Sequence, residues 1–156
     1  MRDLEVLMNP NKMVRHLQKP AREFTKYDII KFIGDHHIEM INFRYVGEDG
    51  KLKTLNFVIT SKDYLESILS TGERVDGSSL FSYIDAQSSD LYVIPRFPTA
   101  FVNPFTEQPT RDILCSFYTK EGKPLESAPE YTPKKATRVF TEQTGYIFKP
   151  RGEMEN

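Results

Sequence analysis

Two neighbouring stretches of the chain alternate apolar and polar residues with a period of two. Residues 39–46 place Ile41 and Phe43 on one face and polar side chains on the other, and residues 51–59 repeat the alternation. Successive side chains of a strand point to opposite faces, so each stretch predicts a half-buried strand. The Gly-Glu-Asp-Gly run at 47–50 is typical of a turn, and the three segments together predict a β-hairpin.

Helical spacing with recognisable end signals flanks this hairpin. Before it, Thr25 is the predicted N-cap of a helix that ends at Gly34, and after it Ser61 is the predicted N-cap of a helix that ends at Gly72. Ser and Thr at an N-cap accept a hydrogen bond from a free amide of the first turn, and glycine favours the conformation that ends a helix. We therefore predict two short amphipathic helices.

Three further strands and a closing helix are predicted in the second half of the chain. The strands cover residues 91–95, 100–102 and 110–118. The closing helix has Thr132 as its predicted N-cap, Pro133 at its first position and Gly145 after its end, and residues 146–148 predict the start of another strand. This order of elements predicts an α+β fold, namely a β-grasp-like mixed sheet of four to five strands with packed helices.

The composition narrows the classes of protein that fit this pattern. The 156 residues are 38% hydrophobic, carry a formal net charge of -1 and include a single cysteine, Cys115. A balanced charge lacks the positive surface that nucleic acid requires, and one cysteine forms no internal disulfide. No apolar run approaches the roughly 20 residues that span a bilayer, and the first residues lack a secretory signal. The sequence therefore predicts a cytoplasmic protein without a nucleic-acid or membrane partner.

The most informative segment is Asp76-Gly77-Ser78-Ser79, called here the Asp76 turn (residues 76–79), and Asp90 follows it after a serine-rich loop. A glycine next to two hydroxyls offers backbone amides and short donors, and the flanking carboxylates attract cations. The same residues are also ordinary turn chemistry. Taken alone, they leave a structural turn and a functional loop both open.

Together with its neighbours, the Asp76 turn resembles the N-terminal β-grasp domain of glutamine synthetase (glutamate–ammonia ligase) of the bacterial and archaeal type. The resemblance extends from about residue 25 to residue 155. It rests on several segments in register: Ile41-Asn42-Phe43-Arg44-Tyr45, Asp49-Gly50-Lys51, Asp76-Gly77-Ser78-Ser79-Leu80, Ser89-Asp90-Leu91, Ile94-Pro95, Pro104-Phe105 and Thr144-Gly145. Several matches in order are far more specific than one short motif.

The resemblance implies an enzyme that converts glutamate, ammonia and ATP to glutamine, ADP and phosphate in rings of identical subunits. It also implies that the grasp domain of one subunit completes the active site of its neighbour. Asp76 matches an aspartate that holds ammonium and assists its deprotonation, Ser79 matches a serine of the same pocket, and Asp90 matches a supporting aspartate. ATP and Mg²⁺ or Mn²⁺ are the implied cofactors of the parent enzyme, and none is expected for this chain alone.

The end of the chain resembles the start of the family's catalytic domain. Glu153 and Glu155 correspond there to two glutamates that bind the divalent metals, and alternate residues of a strand point to the same side. The implied organisation is a loosely ordered lead-in (1–24), the β-grasp domain (25–119), a connecting loop and helix (120–149) and the first residues of a missing catalytic domain (150–156). We therefore expect the chain to be truncated just inside that domain and to be inactive alone.

Departures from the family pattern keep other functions open. After the second serine the family has small glycines and then tryptophan, whereas this chain has Leu80-Phe81-Ser82-Tyr83, and Arg96 replaces a frequent acidic residue. A free-standing β-grasp interaction module and a non-catalytic regulatory relative are the alternatives. Lys134, Lys135 and Arg138 form a basic strip on the closing helix, which fits a solvated face or a surface that binds phosphate or a neighbouring subunit.

Overall fold

The structure is a computed structural model, and it describes residues 4–150 and 152–153. The α-helices in these residues are α1 (Leu4–Leu7), α2 (Lys12–Leu17), α3 (Lys26–Asp35), α4 (Lys62–Thr71) and α5 (Tyr131–Thr144). The strands are β1 (Met40–Val46), β2 (Leu52–Val58), β3 (Glu73–Asp76), β4 (Asp90–Pro95), β5 (Phe101–Val102) and β6 (Thr110–Thr119). None of these helices is long and apolar enough to cross a membrane.

The strands form one mixed sheet in the order β2-β1-β6-β4-β3, and β5 also pairs with β6. Strands β1 and β2 form the predicted antiparallel hairpin, β1 runs parallel to β6, and β4 pairs antiparallel with both β6 and β3. This arrangement confirms the predicted α+β class and the β-grasp-like mixed sheet. In the described part of the chain the sheet has six strands. The additional strand is β3, which the sequence does not predict because it contains one apolar residue, Val75, and so shows no alternation.

One hydrophobic core joins the helices to the sheet. Helices α3 and α4 each bury three residues at helical spacing: Ile29, Phe32, Ile33, Leu65, Ile68 and Leu69. Strands β1 and β6 contribute fully buried apolar side chains at every second position, such as Phe43 and Ile113. Burial of a side chain of this size stabilises the fold by about 1.5–3 kcal/mol, so these residues fix the helices against the sheet.

The N-caps of α3 and α4 are the predicted residues. Thr25 Oγ1 accepts a hydrogen bond from the Asp28 amide, and the Asp28 carboxylate accepts one from the Thr25 amide at 2.7 Å, which completes a capping box. Ser61 Oγ accepts a hydrogen bond from the amide of Tyr64 at 3.0 Å. Each pair satisfies backbone donors that the first helical turn leaves free, so the sequence signals act as their chemistry requires.

The end of α3 differs from its prediction. The helix continues through Gly34 to Asp35, and the left-handed conformation that follows the helix is taken by His37, with φ 47°. Gly34 itself has no positive φ. The predicted stop at Gly34 is therefore wrong, since glycine permits the left-handed conformation without requiring it.

The N-terminal lead-in is packed where the sequence predicts loose order. Met13 and Val14 of α2 are fully buried. Asn11 caps α2 by accepting a hydrogen bond from the Met13 amide at 2.9 Å, and its Nδ2 donates to the Ala100 carbonyl at 2.8 Å. The expectation of a loosely ordered segment is wrong for α2, because this apolar pair docks beside β5 and the cap ties the helix to the neighbouring loop.

The closing helix also differs in detail from its prediction. It begins at Tyr131 after Glu130, so Thr132 lies within the first turn and is not the N-cap. It ends where predicted, before Gly145 at φ 73°. Residues 146–148 form no strand, because the backbone of a strand needs a partner and none of the described strands pairs with this segment.

A buried carboxylate on β6 joins this strand to β1 and to the loop between β5 and β6. Asp112 is fully buried and accepts hydrogen bonds from Asn42 Nδ2 at 2.8 Å, Arg44 Nε at 2.7 Å and Asn103 Nδ2 at 3.2 Å. These donors come from β1 and from the loop between β5 and β6. A buried charge held by several donors costs little to bury, but it is costly to leave with a partner removed.

The neighbouring residue, Arg111, is also fully buried but is not paired. None of its guanidinium nitrogens has a hydrogen-bond partner among the described residues, and the group lies 4.0 Å from the centre of the Phe32 ring. Burial lowers the pKa of Arg111 to about 10, although the charge of Asp112 acts in the opposite direction. Contact with an aromatic face offsets only part of the cost of removing a guanidinium from water.

Candidate functional site

The Asp76 turn begins where the edge strand β3 ends. In the antiparallel pair of β3 and β4, Asp76 lies directly opposite Asp90. The two aspartates are therefore the cross-strand neighbours that close this ladder, although fourteen positions separate them in the sequence. The chain then makes one 3-10 turn over Gly77–Ser79. The fold thus brings Asp76, Ser79 and Asp90, the three predicted catalytic residues, to one corner of the sheet.

The carboxylate of Asp76 is surrounded by short donors. Its Oδ1 accepts hydrogen bonds from the Ser78 amide at 3.0 Å and from Ser78 Oγ at 2.7 Å, and its Oδ2 accepts one from Ser79 Oγ at 2.7 Å. The hydroxyls of Ser78, Ser79 and Ser89 hold the pKa of Asp76 well below its usual range. Donors to the ionised form favour that form, so Asp76 is a carboxylate at neutral pH.

The turn requires a glycine at position 77 because of a close approach to the next strand. The Gly77 amide donates to the Ser89 carbonyl at 2.7 Å. A Cβ atom on Gly77 would lie 2.7 Å from Leu91 Cδ1 and 2.9 Å from the Ser89 carbonyl oxygen. Any side chain here would clash with both a buried leucine and a backbone atom, so only glycine fits in the available space.

The loop after the turn is anchored to the body of the domain. Phe81 is fully buried, with its ring centre 5.1 Å from that of Phe117. The carboxylate of Glu48, in the β1–β2 turn, accepts hydrogen bonds from the amide and the hydroxyl of Ser82 at 2.8 and 2.9 Å. Tyr83 Oη adds a third attachment by donating to a backbone carbonyl at 2.9 Å. These contacts hold the loop against other segments of the same chain.

The chemically active atoms of the turn face outward. Asp76 and Ser79 are exposed, whereas Gly77 between them is buried. Asp90 is 55% exposed, and its Oδ2 lies 3.4 Å from Arg74 Nη1. The site is a preformed acidic corner at the edge of the sheet, and its hydroxyl and carboxylate oxygens are accessible to a molecule outside the domain.

A cleft of about 640 Å³ opens beside Asp90 and extends the acidic surface. Asp85, Asp90 and Glu121 line it, together with a single cation, Lys120. Carboxylates grouped in a concave surface raise the local concentration of cations. The corner is thus suited to attract a small cation and to offer it oxygen acceptors.

Comparison with known proteins shows the family to which this chain belongs. The sequence model of the family described as "Glutamine synthetase, beta-Grasp domain" matches residues 37–120. The chain belongs to this glutamine synthetase β-grasp family. The matched residues include the whole Asp76 turn and Asp90, and the resemblance predicted from the sequence is confirmed.

Curated glutamine synthetases match over most of this chain. That of Methanococcus maripaludis is 28% identical over an alignment of 125 residues, and the match covers 76% of this chain and 28% of that protein. That of Thermotoga maritima is 32% identical over an alignment of 129 residues, and the match covers 81% of this chain and 28% of that protein. The chain therefore spans little more than a quarter of the length of these relatives.

Two solved structures share the fold. Plasmodium falciparum glutamine synthetase, determined by cryo-electron microscopy, superposes with a TM-score of 0.64 at 16% identity and covers 77% of this chain and 23% of its own. Ligand-free GmaS superposes with a TM-score of 0.65 at 12% identity and covers 74% of this chain and 26% of its own. At such identities the similarity concerns the β-grasp architecture.

The sequence analysis assigns no role to several residues that hold the Asp76 turn and the loop after it in place. Ser78 donates to Asp76 through its amide and its hydroxyl, and Glu48 and Phe81 anchor the following loop. Phe81 does give a signal, because a large apolar residue within a serine-rich loop is typical of burial. Glu48 gives none, since a carboxylate in a hairpin turn is usually solvated and its partner is 34 positions away.

Of the two predicted metal ligands, only Glu153 lies in the part of the chain that the structure describes. Glu153 is exposed in a segment without regular structure, and Glu155 lies outside the described residues. Among residues 4–150 and 152–153, no group of three or more His, Cys, Asp or Glu side chains is placed to hold a metal ion. The described residues alone therefore do not fit a metal centre, and the assignment of Glu153 and Glu155 stays a prediction.

Proposed function

We propose that this chain is the N-terminal β-grasp domain of a glutamine synthetase, an ATP-dependent ligase that joins ammonia to glutamate, and that its Asp76 turn enters the active site of a neighbouring subunit. Membership of the family supports the enzyme class. The observation that carries the second part is the outward exposure of Asp76 and Ser79 on a turn that its own domain holds rigid. A rigid, exposed turn is suited to complete a pocket built elsewhere.

Asp76 acts in this proposal through its charge. Its pKa lies below the usual range of an aspartate, so it is a very weak base at neutral pH and a permanent negative charge. Such a group attracts ammonium and holds it near the reacting carboxyl group. Asp76 takes up the proton that ammonium loses only transiently and passes it on to bulk water, because a carboxylate of such low pKa stays ionised at neutral pH.

Ser79 supplies a directed acceptor. A hydroxyl has one proton and two lone pairs, and the Ser79 proton is committed to Asp76 Oδ2 at 2.7 Å. Its lone pairs remain available to an ammonium N–H from outside the domain. Asp90 supports the site as its cross-strand neighbour by adding negative potential, which the nearby Arg74 partly balances.

The rest of the proposed reaction belongs to the part of the parent enzyme beyond this chain. ATP would supply the phosphoryl group that activates glutamate, and Mg²⁺ or Mn²⁺ would neutralise the phosphate charge, with Glu153 and Glu155 as ligands in the longer protein. We infer that the parent is a cytoplasmic homo-oligomer. This chain alone is expected to show no ligase activity and to bind ammonium negligibly, since it offers one side of the pocket.

The test compares two exposed aspartates of the parent enzyme, one in the Asp76 turn and one outside the acidic corner. Asp76→Asn and Asp49→Asn each remove one negative charge and keep an oxygen that accepts the local amide hydrogen bond. Asp76→Asn should raise KM for ammonia and lower kcat, with KM for ATP nearly unchanged, whereas Asp49→Asn, in the β1–β2 turn, should resemble the unsubstituted enzyme. Equal effects of the two substitutions, or an Asp76→Asn variant with normal ammonia dependence, would refute the assigned role. A parent protein that is folded and without activity would instead indicate a non-catalytic relative.

A further inference from the structure

A second concave surface lies at the opposite end of β4 from Asp90. It is an open groove of about 930 Å³ between α5 and the chain that leaves β4, called here the α5 groove. Its lining includes Val46, Arg96, Pro129, Lys134, Thr137 and Thr141. The residues of α5 bury no side chain in the core, so the helix covers the sheet incompletely and leaves this space between them.

Two cations converge on the α5 groove from different elements. Arg96 follows β4, and its backbone is fixed because its amide donates to the Leu114 carbonyl at 2.9 Å. Its Nε is buried and has no hydrogen-bond partner in the part of the chain that the structure describes. This Nε atom is enclosed by protein, so a ligand in the open groove would meet Arg96 through its terminal guanidinium nitrogens.

Lys134 approaches from the first turns of α5. Its Nζ donates to Ser116 Oγ at 2.5 Å, which leaves two of its three hydrogens for another acceptor. Burial and the positive charge of Arg96 both lower the pKa of Lys134, while Glu130 acts in the opposite direction. The two cations are therefore close enough to repel each other, and an anion between them would turn this repulsion into attraction.

The acidic residues of the groove are engaged elsewhere. Glu130 Oε1 accepts a hydrogen bond from the Phe117 amide at 3.2 Å. Glu142 lies 3.9 Å from Arg138, its partner one turn earlier on α5. These carboxylates reduce the local positive potential, but among the described residues neither forms an ion pair with Arg96 or Lys134. The lining therefore has three cations, Arg96, Lys134 and Arg138, against two carboxylates, Glu130 and Glu142, and keeps a positive excess beside threonine hydroxyls.

The geometry points to an oxyanion site in the α5 groove that binds a phosphate group between Arg96 and Lys134. An arginine fork and a lysine ammonium from opposite walls are the usual donors for phosphate oxygens, and threonine hydroxyls provide additional donors. This site lies at the opposite end of β4 from Asp90 and takes a ligand of the opposite charge. It therefore goes beyond the proposed ammonium site and does not depend on it.

The experiment titrates the 156-residue chain with inorganic phosphate at low ionic strength, using calorimetry and the backbone amide NMR shifts of residues 96 and 134. Arg96→Gln and Lys134→Gln should each lower the association constant for phosphate about tenfold, the usual effect of losing a hydrogen bond to a charged group. Lys51→Gln is the matched control, because it removes one positive charge in the β1–β2 turn and should change the constant less than twofold.

Acetate, titrated in parallel, separates a phosphate site from one that takes the carboxylate of a protein segment. Phosphate carries more charge and more acceptor oxygens, so it should bind more tightly than acetate. Acetate binding as tight as phosphate binding would overturn the phosphate assignment. Non-saturable shifts at residues 96 and 134, or equal phosphate affinity in Lys134→Gln and Lys51→Gln, would overturn the site itself. Lys134 is exposed, so its substitution leaves the core intact and keeps the test valid if Arg96→Gln is unstable.

Discussion

The lack of space at Gly77 predicts that Gly77→Ala destabilises the domain. A Cβ atom there would lie 2.7 Å from Leu91 Cδ1, 2.9 Å from Leu91 Cγ and 2.9 Å from the Ser89 carbonyl oxygen. Leu91 is buried, and the Ser89 carbonyl already accepts the Gly77 amide at 2.7 Å. The clash is relieved only if the ends of β3 and β4 separate. Overpacking of this kind costs about 1–3 kcal/mol.

The chain contains a matched control for this substitution. Gly34 lies in α3, is exposed, and has no atom within 4 Å of the position where a Cβ would stand. Gly34→Ala adds the same methyl group to a helix that favours alanine over glycine. It should therefore stabilise the domain by about 0.5–1 kcal/mol.

Thermal unfolding monitored by circular dichroism measures both effects. For a chain of this length, 1 kcal/mol corresponds to about 2–4 °C in Tm, so Gly77→Ala should lower Tm by about 2–12 °C and Gly34→Ala should raise it by about 1–4 °C. If Gly77→Ala melts at the Tm of the unsubstituted chain, or if both substitutions shift Tm in the same direction, the tight closure of the Asp76 turn is wrong.

Two further predictions concern charged groups. The carboxyl of Asp76 should titrate by NMR at a pKa below the ordinary value of about 3.9. Its contribution to stability is therefore complete above that pH and is lost as pH falls through the lower folded-state pKa. Titration at or above the ordinary value would contradict the hydrogen-bond assignment. In urea unfolding, Asp112→Ala should lower the free energy of unfolding by about 3–5 kcal/mol, because Arg44 and two side-chain amides lose their buried acceptor. Arg111→Met should leave the free energy of unfolding unchanged or raise it by up to about 4 kcal/mol, because it removes a buried unpaired charge. A large loss on Arg111→Met would show that this guanidinium has a stabilising partner.

The local signals of the sequence predict the elements that depend on local physics. The hairpin of β1 and β2, the caps at Thr25 and Ser61 and the end of α5 before Gly145 all follow from periodicity and capping chemistry, and all are present. The family resemblance adds the position of the Asp76 turn, which periodicity alone leaves as an ordinary turn.

The features that the sequence does not predict depend on contacts between distant segments. Met13 and Val14 are buried by packing against the sheet, which the prolines around α2 do not reveal. The bond between Glu48 and Ser82 joins two turns that look solvated when each is read alone. Segment β3 forms a strand because it pairs with β4. Residues 146–148 do not form a strand, because no described strand pairs with them.

The most direct test of the central claim asks whether the Asp76 turn works in a neighbouring subunit. The parent enzyme carrying Asp76→Asn is co-expressed with this 156-residue chain bearing an affinity tag, and the co-purified assemblies are assayed for ammonia-dependent glutamine formation. The unsubstituted chain should restore activity by supplying an intact turn in trans, whereas the same chain with Asp76→Asn should restore none. Assemblies that contain the unsubstituted chain and remain as inactive as those with the substituted chain would contradict the account.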